Sequence, residues 1–181
     1  MEATKAQTQT TWKLDPAHSE LTFRVRHMMI TNVKGEFKNF SIDVEGADLF
    51  KSNVNVTIDA SSINTNNGDR DNHLKSGDFF DVENHAELTF KSTSFKQKDD
   101  DEYELKGILT IKGVSKEITL DVEFGGVNKD PWGNEKAGLA ISGKINRKDW
   151  GLNWNAGLET GGVLVSEEVK IAGEFQFVKQ A

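Results

Sequence analysis

Apolar and polar residues alternate along most of this chain, the period-two signature of strands with one buried face. Leu21, Phe23 and Val25 alternate with Thr22, Arg24 and Arg26. Phe40, Ile42 and Val44 alternate with Ser41 and Asp43, and Val54, Val56 and Ile58 with Asn55, Thr57 and Asp59. The period continues through Leu88 and Phe90, through Tyr103, Leu105, Leu109 and Ile111, and through Ile118, Leu120, Val122 and Phe124. Leu139, Ile141 and Ile145 form another set, and Val169, Ile171, Phe175 and Phe177 close the chain. The pattern predicts eight long strands, near 19–27, 33–44, 54–60, 86–95, 103–112, 117–125, 137–147 and 169–178, with a short one at 11–14 ahead of them. In the second, the apolar phase slips from Val33 and Phe37 to Phe40 and Ile42. An extra residue at Lys38 or Asn39 accounts for the slip, so a bulge that bends the strand is expected there.

The connections read as hairpins. Lys98–Glu102 (KDDDE) is an acidic turn and Gly113–Lys116 (GVSK) a tight one. Sequential antiparallel strands with one polar face form a meander, and eight of them can close into a barrel, which removes exposed edges. One long gap, between Ala60 and Ala86, breaks the pattern. Asn67 or Asp69 can cap a helix there and Gly77 can sit just past its end, which predicts one short helix near 69–76. A second gap, 148–166, is rich in Gly and Trp and reads as loops across one end of the barrel. Pro stands only at 16 and 131, and no Ser/Gly-rich linker separates two cores. Residues 1–10 read as a polar tail and 11–181 as a single domain.

Composition narrows the function. A chain of 181 residues can bury a core without disulfides or metals, and this one has no Cys. That excludes a thiolate nucleophile and a Cys-ligated zinc, and fits a reducing compartment. The net charge of −7 argues against general nucleic-acid binding, which needs a basic face. It argues equally against adhesion of the whole surface to anionic lipid by net charge. No apolar run reaches the roughly 20 residues of a membrane helix. MEATKAQTQT lacks the basic start and apolar core of a signal peptide. The expected location is therefore the cytoplasm, or the periplasm if an export signal once preceded this sequence.

Chemistry finds little support. The four His, at 18, 27, 73 and 85, include no pair spaced to share one face, so no metal is expected. Asp69, Asp71 and His73 imitate the start of a calcium loop, but Leu74 replaces its glycine and Phe80 its closing glutamate. There is no Gly-x-Ser-x-Gly elbow and no phosphate-cradling Gly-Lys-Ser/Thr loop. Paired carboxylates need no catalytic explanation on solvated strand faces. The sequence points away from an enzyme. What remains is an apolar inventory of 11 Phe and 4 Trp against 1 Tyr. It describes a filled core or the wall of a ligand cavity, since both use the same residues.

Five separated segments resemble one family. LDPAHSELTFRVRHMMITNVKGEFKNF (14–40), DRDNHLKSGDFFDVENHAELTFKS (69–92) and LKGILTIKGVSKEITLDVEF (105–124) are similar to the opening and middle of YceI-like proteins. INRKDWGLNW (145–154) resembles their late loop and VSEEVKIAGEF (165–175) their last strand, in the same order. The likeness spans about residues 11–178. It implies a lipocalin-like, extended eight-stranded antiparallel barrel whose long apolar tunnel binds a polyisoprenoid or similar long-chain amphiphilic lipid, an isoprenoid quinone included. Such a lipid would be a ligand for transport or storage, with no other cofactor. The alternative is a filled barrel that acts as an interaction module without a ligand. A lipid-acting enzyme using His27, His73 and Asp71 ranks last, and a homodimer is left open.

Strand parity assigns the tunnel wall. With the apolar face inward, Phe23, Val25, Ile42, Val44, Ile58, Phe90, Leu109, Ile111, Leu120, Val122, Leu139 and Ile141 line it. His27, Met28 and Met29 are expected at the mouth, with Ile30 beside them. Met suits a wall that adapts to a flexible guest. Phe79, Phe80, Trp150 and Trp154 are expected to cap an end. Asp69, Arg70, Asp71 and Lys75 are expected first to tie the helix down or face water; the second reading has Arg70, His73 or Lys75 meet a polar lipid head.

Overall fold

The computed structural model of the protein describes residues 12–28, 30–45, 53–153, 155 and 165–179. The alternating segments are strands: β1 (Trp12–Leu14), β2 (Glu20–His27), β3 (Thr31–Phe37), β4 (Phe40–Glu45), β5 (Asn53–Asp59) and β6 (Ile63–Asn64). Helix α1 (Gly68–Lys75) follows, then β7 (Glu87–Gln97), β8 (Glu102–Ile111), β9 (Val114–Lys129), β10 (Glu135–Asn146) and β11 (Val165–Lys179). All pairings are antiparallel.

The short strands are halves of longer, bent ones. β1 and β2 share one edge of β11: Leu14 faces Phe177, and Leu21 faces Gly173. The kink between them stays bonded to β11. The Asp15 amide donates to the Gln176 carbonyl at 2.8 Å, and the Gln176 amide donates to Ser19 Oγ at 3.0 Å. Asp15 also accepts from the Ala17 amide and meets His18 at 2.8 Å. The His18 contact leads in holding the Asp15 carboxyl below its ordinary pKa. Counting β1/β2, β3/β4 and β5/β6 as bent units, eight strands close into a barrel. Phe175, Phe177, Val122 and Leu109 are among the side chains buried within it.

The phase slip at Lys38–Asn39 is wider than one extra residue. Phe37 pairs with Ile63 and Phe40 with Ile58, so two residues on one side oppose four on the other. Those four enclose a 3-10 turn, Ala60–Ser62, capped by the Asp59 carboxylate. The result is a corner, and β6 is its continuation, which the alternation did not signal. α1 starts one residue earlier than expected. The Asn67 side chain accepts from the Arg70 amide at 3.1 Å, and Ser76 ends the helix just before Gly77.

The β8–β9 turn also differs. It sits at Lys112–Gly113, with Ile111 opposite Val114, so Val114–Lys116 belong to β9. Lys112 and Gly113 both have positive φ, 53° and 76°, the tight geometry that matches strand twist. Gly113→Val is expected to lower stability by roughly 1–3 kcal/mol, because a β-branched residue is strained at positive φ. Thermal denaturation checks it, as a fall in Tm of several degrees.

Candidate ligand-binding cavity

The inward faces do not meet. They surround a cavity of about 580 Å3, within the usual range for small-molecule sites. All twelve residues assigned to the wall by parity line it: Phe23, Val25, Ile42, Val44, Ile58, Phe90, Leu109, Ile111, Leu120, Val122, Leu139 and Ile141. Alternation forces this result. Once one face of a strand is buried, every second residue shares its fate.

The two ends differ in chemistry. Val44, Val54, Phe95 and Phe177 line the end near β1, where all are apolar. At the other end the lining includes Arg26 and His27 of β2, Thr65, Asn67, Asp69, Arg70 and His73 on and before α1, and Arg147. This end is the mouth. Its rim is tied together by hydrogen bonds. Arg70 donates from Nε to Thr65 Oγ1 and from a terminal nitrogen to the Thr65 carbonyl, both at 2.8 Å. Asp71 accepts from the Thr65 amide at 2.8 Å and from its hydroxyl at 2.5 Å. His73 Nε2 meets Asp78 at 2.9 Å, and its ring stands edge-on to Phe79 at 5.2 Å.

Arg147 is the most buried charge described, 3% exposed. It donates to the carbonyls of Leu152, Val165 and Ser166, pinning the start of β11 to the 3-10 turn Arg147–Trp150. Burial pulls the guanidinium below its ordinary pKa, and Glu167 opposes that shift.

The expected cap residues divide. His27, Phe79 and Phe80 line the cavity. The Phe80 ring meets Phe37 edge-on at 5.9 Å, and Phe37 in turn packs on Phe23. Met28 does not line it. It is 44% exposed in a left-handed turn (φ 52°), so it and Ile30 point to solvent. The turn reverses the chain immediately after His27, which takes Met28 off the inward face. Trp150 is buried but stays off the lining, its Nε1 donating to the Leu109 carbonyl at 2.9 Å. Lys75 does not reach the cavity. Met29 and Trp154 lie outside the described residues.

Parity missed the wall's glycines. Gly35, Gly107 and Gly173 fall on inward positions, and the rings of Phe23, Phe90 and Phe175 lie over them. A Cβ at Gly35 would overlap the Phe23 ring. Without that Cβ the ring lies flat on the wall and the lumen stays open. The usable signal is a glycine on the buried phase of a strand, which marks close approach by another group.

A closed eight-stranded antiparallel barrel with an apolar lumen and a polar rim is of lipocalin-like build. The chain belongs to the YceI-like family, whose domain model matches residues 12–177. A UPF0312 protein of Staphylococcus aureus is 44% identical over 171 residues, covering 93% of this chain and 97% of that protein. The crystal structure of a Campylobacter jejuni YceI protein superposes with a TM-score of 0.74 at 34% identity, over 86% of this chain and 90% of that one. A polyisoprenoid binding domain from Saccharophagus degradans shares the fold, with a TM-score of 0.67 at 17% identity, over 93% and 98% of the two chains.

Gly35→Ala is expected to push the Phe23 ring off the wall and lower stability by roughly 1–3 kcal/mol, the usual result of overpacking. Phe23→Leu in the same chain should restore most of the loss. Chemical denaturation of both variants checks this.

Proposed function

We propose that the protein binds a polyisoprenoid chain, or a similar long amphiphilic lipid, along its lumen with the polar head at the rim. The single observation that carries this reading is the division of the cavity: apolar along its length and at one end, polar at the other. That is the complement of an amphiphile. The named ligand class of the Saccharophagus degradans neighbour points the same way.

Burial supplies the driving force. Each buried CH2 contributes about 0.8 kcal/mol, so a few isoprene units suffice for tight binding once ordering costs are offset. Arg70 and His73, with Arg26 and His27 across the rim, would face a charged or carbonyl-bearing head. An isoprenoid quinone fits the same division, with its ring at the rim. No step of this reading needs a reactive group. Carrying or storing the lipid follows from holding it out of water.

Solvent extraction of the purified protein followed by mass spectrometry tests the proposal. The expected result is about one isoprenoid-type lipid per chain, falling severalfold in Leu120→Trp, whose indole would fill the lumen. Absence of any lipid, with a crystal structure whose lumen is filled by its own side chains, would overturn the reading in favour of an interaction module.

A further inference from the structure

Two surface features, one on the outer wall around β2 and one at the β2–β3 tip, have no role in holding a lipid. The first is a row of cations. Lys144 of β10 stands opposite Lys170 of β11, Lys170 opposite Arg24 of β2, and Arg24 opposite Lys34 of β3. All four are exposed on the outer face. Among the described residues none of them forms an ion pair. Like charges directly opposite one another destabilise a sheet, and this chain carries an excess of acids from which partners could be drawn. The row spans about 14 Å across four strands.

The second feature is the hairpin tip. Ile30 is 74% exposed and Met28 44%, beside His27 at the cavity mouth. A soluble anion would explain the cations and leave the apolar tip without a purpose. A second copy of the chain would bring four more cations to the same row.

We propose that the protein docks mouth-down on an anionic lipid bilayer, the β2–β3 tip entering the interface and the cation row facing lipid phosphates. The dimensions agree. Arg24 and Lys34 stand about four residues from the tip, roughly 13 Å along the strands. The headgroup layer is about 5–8 Å deep on each side of a bilayer. With Ile30 at the acyl boundary, Arg24 and Lys34 lie within a Debye length, about 8 Å at physiological salt, of the phosphates. The row runs across the strands, which a barrel tilts about 35–45° to its axis, so it crosses the outer wall obliquely to the membrane surface. Glu36 and Asp121 flank the row, and Asp69, Glu167 and Glu168 lie on other parts of the mouth end. These acids make the barrel lean toward its β2–β3 side. Docking stands on surface features alone. Passage of a lipid between bilayer and lumen rests in addition on the proposed function.

Vesicle flotation tests the docking, using the full chain and vesicles free of isoprenoids so that the contents of the lumen are not the readout. Binding is expected to vesicles containing phosphatidylglycerol, to be near background on pure phosphatidylcholine, and to weaken as salt rises. Arg24→Glu with Lys34→Glu should weaken it tenfold or more. Ile30→Asp should weaken it at an unchanged charge row, while Lys129→Glu, exposed at the opposite end of β9, should leave it near wild type. Circular dichroism melting confirms that each variant folds, as expected for exposed positions. No binding to either vesicle, equal binding to both, or binding that soluble polyphosphate abolishes and Ile30→Asp leaves intact would each overturn the proposal. So would self-association through the same face that the charge variants disrupt.

Discussion

The structure depends on one seam. β11 pairs with β10 along one edge, and along the other with β2 and then β1. No single neighbour could close the barrel along all of β11, because the first strand turns away at Pro16–His18. The bonds of Asp15 and Ser19 to Gln176 carry the seam across that gap. Closure converts a meander with two open edges into a tube and makes every inward residue part of one continuous wall. With eight strands, the wall encloses just enough space for a slender guest.

Inside that constraint, whether the tube is hollow is decided residue by residue. Large side chains on every inward position would meet in the middle. Glycines at 35, 107 and 173 let phenylalanine rings lie along the wall. The aromatic contacts of Phe23, Phe37 and Phe80 continue that lining to the mouth, where the α1 segment returns across the end. At the rim, Thr65, Arg70 and Asp71 satisfy one another. The polar end is thereby rigid before any ligand arrives, which lowers the ordering cost of binding.

The wall was legible because alternation is a local rule with a global consequence. Strand faces such as Leu105–Leu109–Ile111 and Leu120–Val122 can be read without knowing their neighbours. The cavity itself was not legible, since packed and hollow interiors use the same apolar residues. Corners were read poorly for a related reason. The break at Lys38–Asn39 depends on the turn Ala60–Ser62 in the partner strand, which no pattern within residues 33–44 reveals. Met28 was misplaced because parity extends a strand until something stops it, and the left-handed turn that stops it here carries no glycine. The helix was legible from its two capping candidates, Asn67 and Asp69, and Asn67 is the one that caps it. The polar rim was only half seen: Arg70 and His73 stood out by charge, whereas Thr65 and Arg147 act through partners set by the fold.

The central claim is that apolar length, held in a tube with one polar end, carries recognition. Titrating lipid-stripped protein with prenols of increasing chain length and constant head group tests it most directly. Affinity should rise by about tenfold or more with each added isoprene unit, as expected from about 0.8 kcal/mol per buried CH2 less the cost of ordering, and then level off once the lumen is full. Affinity that is independent of chain length, or that follows the head group alone, would contradict the account.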